Sequence, residues 1–486
     1  LAHVEPFVPK PAKPVVAMHR MKRILRHGLS CTLLALSALG MGQAWAQASR
    51  PAAMDSGSAE PRPGATWSDA DIRASRVETP GAKSLPAKPR WQADPMNLFV
   101  VVEAGDDHVS LLDGDRFEVL HRFPGRGALQ GEPAFTPDGR FVYFGTGDGW
   151  ITQYDLWNLT IVAEARAGLE MGNLALSADG RYLMVANSRP RNVVLLDGDL
   201  QLVKHIDAAT LDGRQTSRVS AVYDAAPRKS FVVAFKDLSE LWEVSYDEKA
   251  EPIFDGLVHD YKMGEAIAKP GFLNPRRAPL DEPLESFAFD PSYRNLLGAK
   301  RPRDGAPAVS TTVQVVNLDV RRKIAELPMA GMPQPGSGIR FAHHGTTVLA
   351  SQNLQDGAID VIDMKTWKVV KAIPTPGPGF FIRSHENTPF AWADSVIDPK
   401  SKDSLTLIDK KTLEPVATLR KPGHTLAQTA FTKDGRYALV SAADMDGALI
   451  AFDTETLKEI KRLPMRKPVG SYNVWNMITR SKRPSH

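Results

Sequence analysis

FTPDGRFVYFGTGDGWITQYD, residues 135–155, carries the unit from which this chain is built. Asp138-Gly139 is followed by a run that alternates aromatic and β-branched side chains, and a second turn leads to a strand ending at Asp155. A D-G dipeptide beside such alternation signals a hairpin, because glycine and aspartate accept the left-handed backbone of a tight turn. The opening phrase returns as LSADGRYLMVA (residues 176–186) and FTKDGRYALVSA (residues 431–442). Strands ending in aspartate recur at Asp113, Asp155, Asp197, Asp247, Asp319, Asp363, Asp409 and Asp453, 42, 42, 50, 72, 44, 46 and 44 residues apart. A third phrase follows three of them: DMKTWKVVKAI, DKKTLEPVATL and DTETLKEIKRL, a turn and then an outer strand. One such four-stranded unit cannot bury both faces alone, whereas radial stacking does so and leaves only short edges. The expected fold is therefore all-β, an eight-bladed β-propeller, with seven blades as the alternative. The repeated D-G-R and aspartate-ending phrases are read as turn chemistry.

The 72-residue interval holds GLVHDYKMGEAIAKPGFLNPRRAPLDEPLESF (residues 256–287) as an insertion. Long loops on a rigid scaffold often carry function. His259, Tyr261, Arg276 and Arg277 there form either a cofactor-facing loop or a solvated charged one, and composition favours the latter.

Outside the repeats, Arg20, Lys22, Arg23 and Arg26 precede an apolar run at Cys31–Met41, and Ala44-Trp45-Ala46 or Ala46-Gln47-Ala48 offers a cleavage site. That is the layout of a secretory signal peptide, residues 18–48, and the run is too short to span a bilayer, which takes ~20 apolar residues. Residues 1–17 are expected to be translation upstream of the true start, 49–95 a flexible Pro/Ala/Ser/Gly-rich linker, 96–480 the propeller and 481–486 a tail. The address implied is the periplasm, with no membrane span. The chain is formally +4, but residues 1–48 contribute six Lys/Arg and one Glu, leaving a body near −1. A near-neutral body argues against nucleic acid, which calls for a concentrated basic face. The single cysteine, Cys31, lies in the leader. The body is thus without disulfide, thiolate metal site, cysteine nucleophile or C-x-x-C-H attachment for haem c.

Catalytic signatures such as G-x-S-x-G, H-E-x-x-H, the P-loop and the EF-hand are missing from the sequence. GTGDGW (145–150) is a hairpin turn, and His343-His344 stands where other repeats have a D-G turn. GPGFFIRSHENTPFAWAD (377–394) is different. It replaces the usual turn between inner strands and sets His385 and Arg383 beside Phe380, Phe381 and Trp392. Such a set suits an iron macrocycle, with His385 as axial ligand, aromatics on the flat ring and arginine on its carboxylates. A structural histidine is the commoner outcome.

These residues also carry a family resemblance. MNLFVVVEAGDDHVSLLDGD (96–115), ITQYDLWNLTIVAEARAGLE (151–170), LPMAGMPQPGSGIRFAHHG (327–345), GPGFFIRSHENTPFAW (377–392) and MRKPVGSYNVWNMI (465–478) resemble the haem d1-binding domain of cytochrome cd1 nitrite reductases and its paralogues in haem d1 biosynthesis. The NPRR insertion and the Y-N-V-W-N tail are most similar to the dihydro-haem d1 dehydrogenase branch, which oxidises a propionate side chain to an acrylate. The resemblance implies an eight-bladed propeller holding haem d1 or dihydro-haem d1 non-covalently, with His385 as metal ligand and Arg383, Arg218, His259 and Tyr472 as cofactor contacts. Gln334 and His385 fall at the positions of the reductases' two distal histidines. Glutamine hydrogen-bonds but does not shuttle protons near neutral pH. The proximal ligand's position is Arg214, which cannot ligate iron, and a family arginine falls at Gly172. The resemblance therefore implies a haem d1 maturation or transfer protein, an oxidoreductase only with an external c-type cytochrome or nitrite reductase as partner. The competing readings are a propeller that serves as a protein-interaction scaffold, and a nitrite reductase-like enzyme served by a separate cytochrome c.

Overall fold

The computed structural model describes residues 4–5, 66–254, 268–300 and 310–479. Eight antiparallel sheets stand in a ring, so eight blades is the outcome and seven is excluded. Blade 2 shows the plan: Ala134–Phe135 lines the axis, followed outward by Phe141–Gly145, Trp150–Asp155 and Thr160–Arg166. Blade 7 repeats it with Ile382–Ser384, Phe390–Asp394, Ser404–Asp409 and Pro415–Arg420. Blade 1 is closed from both ends of the chain. Pro468–Asn473 supplies its inner strand, and Leu98–Glu103, His108–Asp113 and Glu118–Pro124 supply the others.

The recurrent phrases are turns, as read. In blade 2 the Thr136 hydroxyl donates to Asp138 at 2.5 Å, the Arg140 amide donates to the same carboxylate at 3.0 Å, and Gly139 sits at φ 69°. Ser177/Asp179/Gly180 and Thr432/Asp434/Gly435 repeat this. Asp113, Asp155, Asp363, Asp409 and Asp453 each accept the amides two and three residues on, as Asp155 does from Trp157 and Asn158 at 2.9 and 3.1 Å, and Asn317 does so in place of Asp319. Middle strands, sandwiched between blades, are buried on both faces, and outer strands alternate, as Leu202–Asp207 does. That is the pattern expected of half-solvated edges.

Two boundaries change. Residues 49–95, expected as a flexible linker, are packed from Trp67 onward against blades 2 and 3. Ser68 and Asp71 form a capping box on the helix Asp69–Ser75, Ile72 is 2% exposed in the core, and Val77–Glu78 adds a fifth strand to blade 2. The Trp67 and Trp91 indoles donate to the Arg166 and Leu156 carbonyls at 2.9 Å. The composition of this arm hid the few large side chains that anchor it. Val4–Glu5, within the segment expected to stand outside the fold, pairs with Leu419 and Thr418 at the edge of blade 7. The signal peptide (18–48) and the tail (481–486) lie outside the described residues. Part of the insertion is regular: Pro275–Pro279 is the outer strand of blade 4, paired with Glu240–Val244.

Since strands alternate in direction, the turns from first to second strand and from third to fourth share one face of the ring. The second-to-third turns and the links between blades share the other. The short helix Val474–Thr479 follows the inner strand of blade 1 onto the first of these faces. The Asn476 amide ties it to the Phe431 carbonyl at 2.8 Å. That face is the closed one, and the opposite face is the mouth. No helix among the described residues is long and apolar enough to cross a membrane.

Candidate functional site

The inner strands enclose a cavity of about 1240 Å³ along the axis. It exceeds the ~300–1,000 Å³ of ordinary small-molecule pockets, so it admits a ligand of macrocycle size. Toward the mouth its wall is Gln130, Glu132, Gln334, Ser337, Phe380, Phe381 and Arg383; toward the closed face it is Asp224, Phe289, Tyr293, Trp475 and Met477.

Arg383 lies on the inner strand of blade 7, its guanidinium 4.9 Å from the Phe381 ring. Its Nη1 donates to the carbonyls of Ser337 and Ile382 at 2.9 and 3.0 Å, and its Nη2 donates to Glu132 of blade 2 at 3.1 Å. The aromatic pair before it is held from below. Asp394, 1% exposed, accepts the Phe380 amide at 2.7 Å and the Phe381 amide at 3.1 Å. Burial pushes its carboxyl up to about 6, against the pull of those amides. The Gln352 side-chain amide donates to both the Phe381 and the Asp394 carbonyls, and Ser337 Oγ donates to the Phe380 carbonyl at 2.8 Å. Irregular backbone at the mouth is thus clamped by buried polar groups from blades 6 and 7.

At the closed end, Asp224 accepts from the Tyr246 hydroxyl at 2.8 Å. Burial pushes its carboxyl up to about 7, with the Tyr246 hydrogen bond opposing and Asp179 adding to the rise. The cavity therefore holds a fixed cation near one end and an acid that is half protonated near neutrality at the other.

The expected site residues divide. Arg383, Gln334 and Tyr472 line the cavity. Arg218 does not; it lies beside the mouth at the start of blade 4's inner strand, with its guanidinium on Asp237 at 2.9 Å. Arg214 is a solvated tip residue beside Asp212. His259 lies outside the described residues. His385 belongs to the first turn of blade 7, on the closed face, and is 0% exposed. Its Nδ1 accepts the Asn387 amide two residues on at 3.1 Å, as Asp138 accepts the Arg140 amide in blade 2. Gly435 packs so closely that a Cβ there would meet the ring at 2.2 Å. The ring is enclosed in turn structure and is not part of the cavity wall, an arrangement unlike that of an axial ligand. His343 ends Ile339–His343, the inner strand of blade 6, and His344 begins the turn after it, while Arg276 and Arg277 are bound to the Glu251 carbonyl and to Glu240.

Glu132, Asp394 and Asp224 were not found from sequence. Each stands in an ordinary context (GEPAF, FAWAD, VYDAA), and only the fold turns it inward. His424 was passed over as well. It stands two residues before Leu426–Phe431, the inner strand of blade 8, on the mouth face and outside the cavity wall itself, and its Nδ1 is 3.0 Å from an Asp444 carboxylate oxygen. A carboxylate on one ring nitrogen fixes orientation and leaves Nε2 for another partner. Among the described residues no group of three or more His, Cys, Asp or Glu is placed to hold a metal unaided. A metal brought by a macrocycle needs a single axial donor.

The family model of the Cytochrome D1 heme domain matches residues 93–256 and 267–477. Dihydro-heme d1 dehydrogenase of Pseudomonas aeruginosa is 50% identical over 422 residues, covering 86% of this chain and 80% of that protein. Protein NirF of the same organism is 28% identical over 384 residues, covering 77% of this chain and 91% of NirF. A solved structure of dihydro-heme d1 dehydrogenase NirN in complex with DHE superposes with a TM-score of 0.77 at 50% identity, covering 86% of this chain and 84% of that one. Sqt1 of Saccharomyces cerevisiae, at 11% identity and a TM-score of 0.53, covering 69% of this chain and 86% of that one, shares the fold alone.

Proposed function

Because the chain belongs to the Cytochrome D1 heme domain family, we propose that its axial cavity binds haem d1 or dihydro-haem d1 and that the protein acts in haem d1 maturation. The observation that carries this reading is the mouth half of the cavity: a fixed arginine, a clamped aromatic pair and room for a macrocycle. The group fits these residues. Arg383 supplies a charge-assisted hydrogen bond from Nη2 to a ring carboxylate, Phe380 and Phe381 exclude water from its face, and Gln334 and Tyr472 add polar contacts. Arg218 stands by at the rim. His424 rather than His385 is the described histidine best disposed toward a group at the mouth, with His259 a second candidate on the insertion.

Once bound, the macrocycle supplies a redox-active iron and a side chain open to dehydrogenation. Converting a propionate to an acrylate removes two electrons and two protons, so the reading includes an external acceptor, a c-type cytochrome or nitrite reductase. With Cys31 as the sole cysteine, haem c has no covalent anchor on this body. Residues 18–48 support a periplasmic address.

The test is an absorption titration of the purified protein with dihydro-haem d1. The expected result is saturable binding at micromolar protein with a shifted band. His424→Gln should alter the band and His385→Gln should leave it unchanged. Absence of any shift in the unsubstituted protein would overturn the reading. Turnover with an artificial acceptor then separates an enzyme from a carrier.

A further inference from the structure

The Glu132–Arg383 pair joins blade 2 to blade 7 across the bore, with blades 1 and 8 between them on the shorter way round. Its two members are held unequally. Arg383 is 15% exposed and braced by two backbone carbonyls through Nη1 and by the Phe381 ring, while Glu132 is 36% exposed on the link into blade 2. That link carries Gly127 and Gly131 in the left-handed region, at φ 98° and 78°. The guanidinium nitrogen given to Glu132 is Nη2, the one the backbone does not hold, and both residues line the cavity.

We infer that Glu132 is a displaceable counter-ion. A carboxylate of an entering ligand takes its place on Arg383, and Glu132 swings out with its link toward the mouth. This rests on the cavity being the binding site of a carboxylate-bearing macrocycle. Glu132 is here a specificity-determining residue. It keeps the arginine neutralised between ligands and, by competing for the guanidinium, lowers the affinity for a carboxylate ligand while leaving that for an uncharged one unchanged.

Two probes test it: dihydro-haem d1 as the free acid, and the same macrocycle with its carboxyl groups methyl-esterified. Glu132→Gln and Glu132→Asp, the second drawing the carboxylate back by one methylene, are compared with the unsubstituted protein by absorption titration, with melting curves to establish that each is folded. Both variants should bind the free acid about three- to tenfold more tightly, the scale of a partly shielded ion pair, and the ester with unchanged affinity. Equal free-acid affinity in all three proteins overturns the inference while leaving the cavity's function intact. Weaker binding by the variants also overturns it, by making Glu132 a ligand contact. Failure of the unsubstituted protein to bind either probe removes the reading beneath it.

Discussion

The two ends of the bore are built by different rules. At the closed end the chain repeats itself. Thr136-Asp138-Gly139, Ser177-Asp179-Gly180 and Thr432-Asp434-Gly435 make the same hydrogen bonds with the same left-handed glycine, and even His385 does the work of a turn aspartate. The mouth face keeps that turn at Thr146-Asp148-Gly149 and Thr210-Asp212-Gly213, but the links that wall the cavity depart from it. The segment GPGFF is held by Asp394 and Gln352, PQPGSG forms a 3-10 turn from Pro335 to Ser337, and Glu132 reaches across to Arg383. The contrast teaches that conspicuous repetition marks scaffold, whereas the polar cavity wall at the mouth is built where the repeat is broken.

Four substitutions strain this contrast, in falling order of effect. Asp394→Ala at the mouth leaves two buried amides without an acceptor and should cost about 3 kcal/mol by denaturant unfolding, with loss of macrocycle binding. A wild-type midpoint would mean that the aromatic segment supports itself. Arg383→Gln should weaken dihydro-haem d1 binding roughly tenfold to a hundredfold, the range of a charge-assisted hydrogen bond, with a melting temperature close to the parent's; unchanged affinity would detach the site from this arginine.

At the closed end the effects are on stability and pH. Asp224 is held up to about 7 by burial, whereas an unfolded aspartate titrates near 3.9. Between those values the folded protein keeps a proton that the unfolded chain has released, so the stability Asp224 contributes is present at acid pH and is lost as pH rises toward 7. Asp224→Asn, which still accepts from Tyr246, should therefore stabilise the protein by roughly 1–2 kcal/mol at pH 8 and by nothing near pH 4. A pH-independent difference would break the account. Asp138→Ala removes one of the repeated turn bonds and should cost only about 1 kcal/mol with no effect on binding. A binding defect there would show that the repeated turns are not mere scaffold.

This division also governs how far the sequence could be read. Eight aspartate-ending strands and the D-G-R hairpins at 138–140, 179–181 and 434–436 sufficed for eight blades, because local hydrogen bonds within five residues build them. Arg383, Gln334 and Tyr472 were legible because family phrases contain them. Glu132 was not, since its partner lies 251 residues away, and no local pattern encodes a contact across a ring. Asp394 looks like one more strand-ending aspartate, yet it closes a second strand rather than a third and faces the mouth. His385 misled for the converse reason. A histidine beside an arginine and aromatics reads as a ligand, but the strand carries Arg383 to the wall while His385 falls in the turn below. The arm from Trp67 was hidden by averaging, since Trp67, Ile72 and Trp91 are diluted among small residues.

Blade 1 has a consequence for how the molecule comes into being. Its inner strand is Pro468–Asn473, and the Asn473 amide donates to Asn97 Oδ1 at 3.1 Å, 376 residues away. Joining segments so distant carries a closure entropy of about 5 kcal/mol, and Pro468–Asn473 must meet it. Until they emerge, a nascent chain holds at most seven blades and an open seam, with the bore unenclosed and the helix Val474–Thr479 not yet in place at its end. The ring is finished only when Pro468–Asn473 arrives, so a chain cut short before Pro468 is not a slightly smaller protein but an unclosed one.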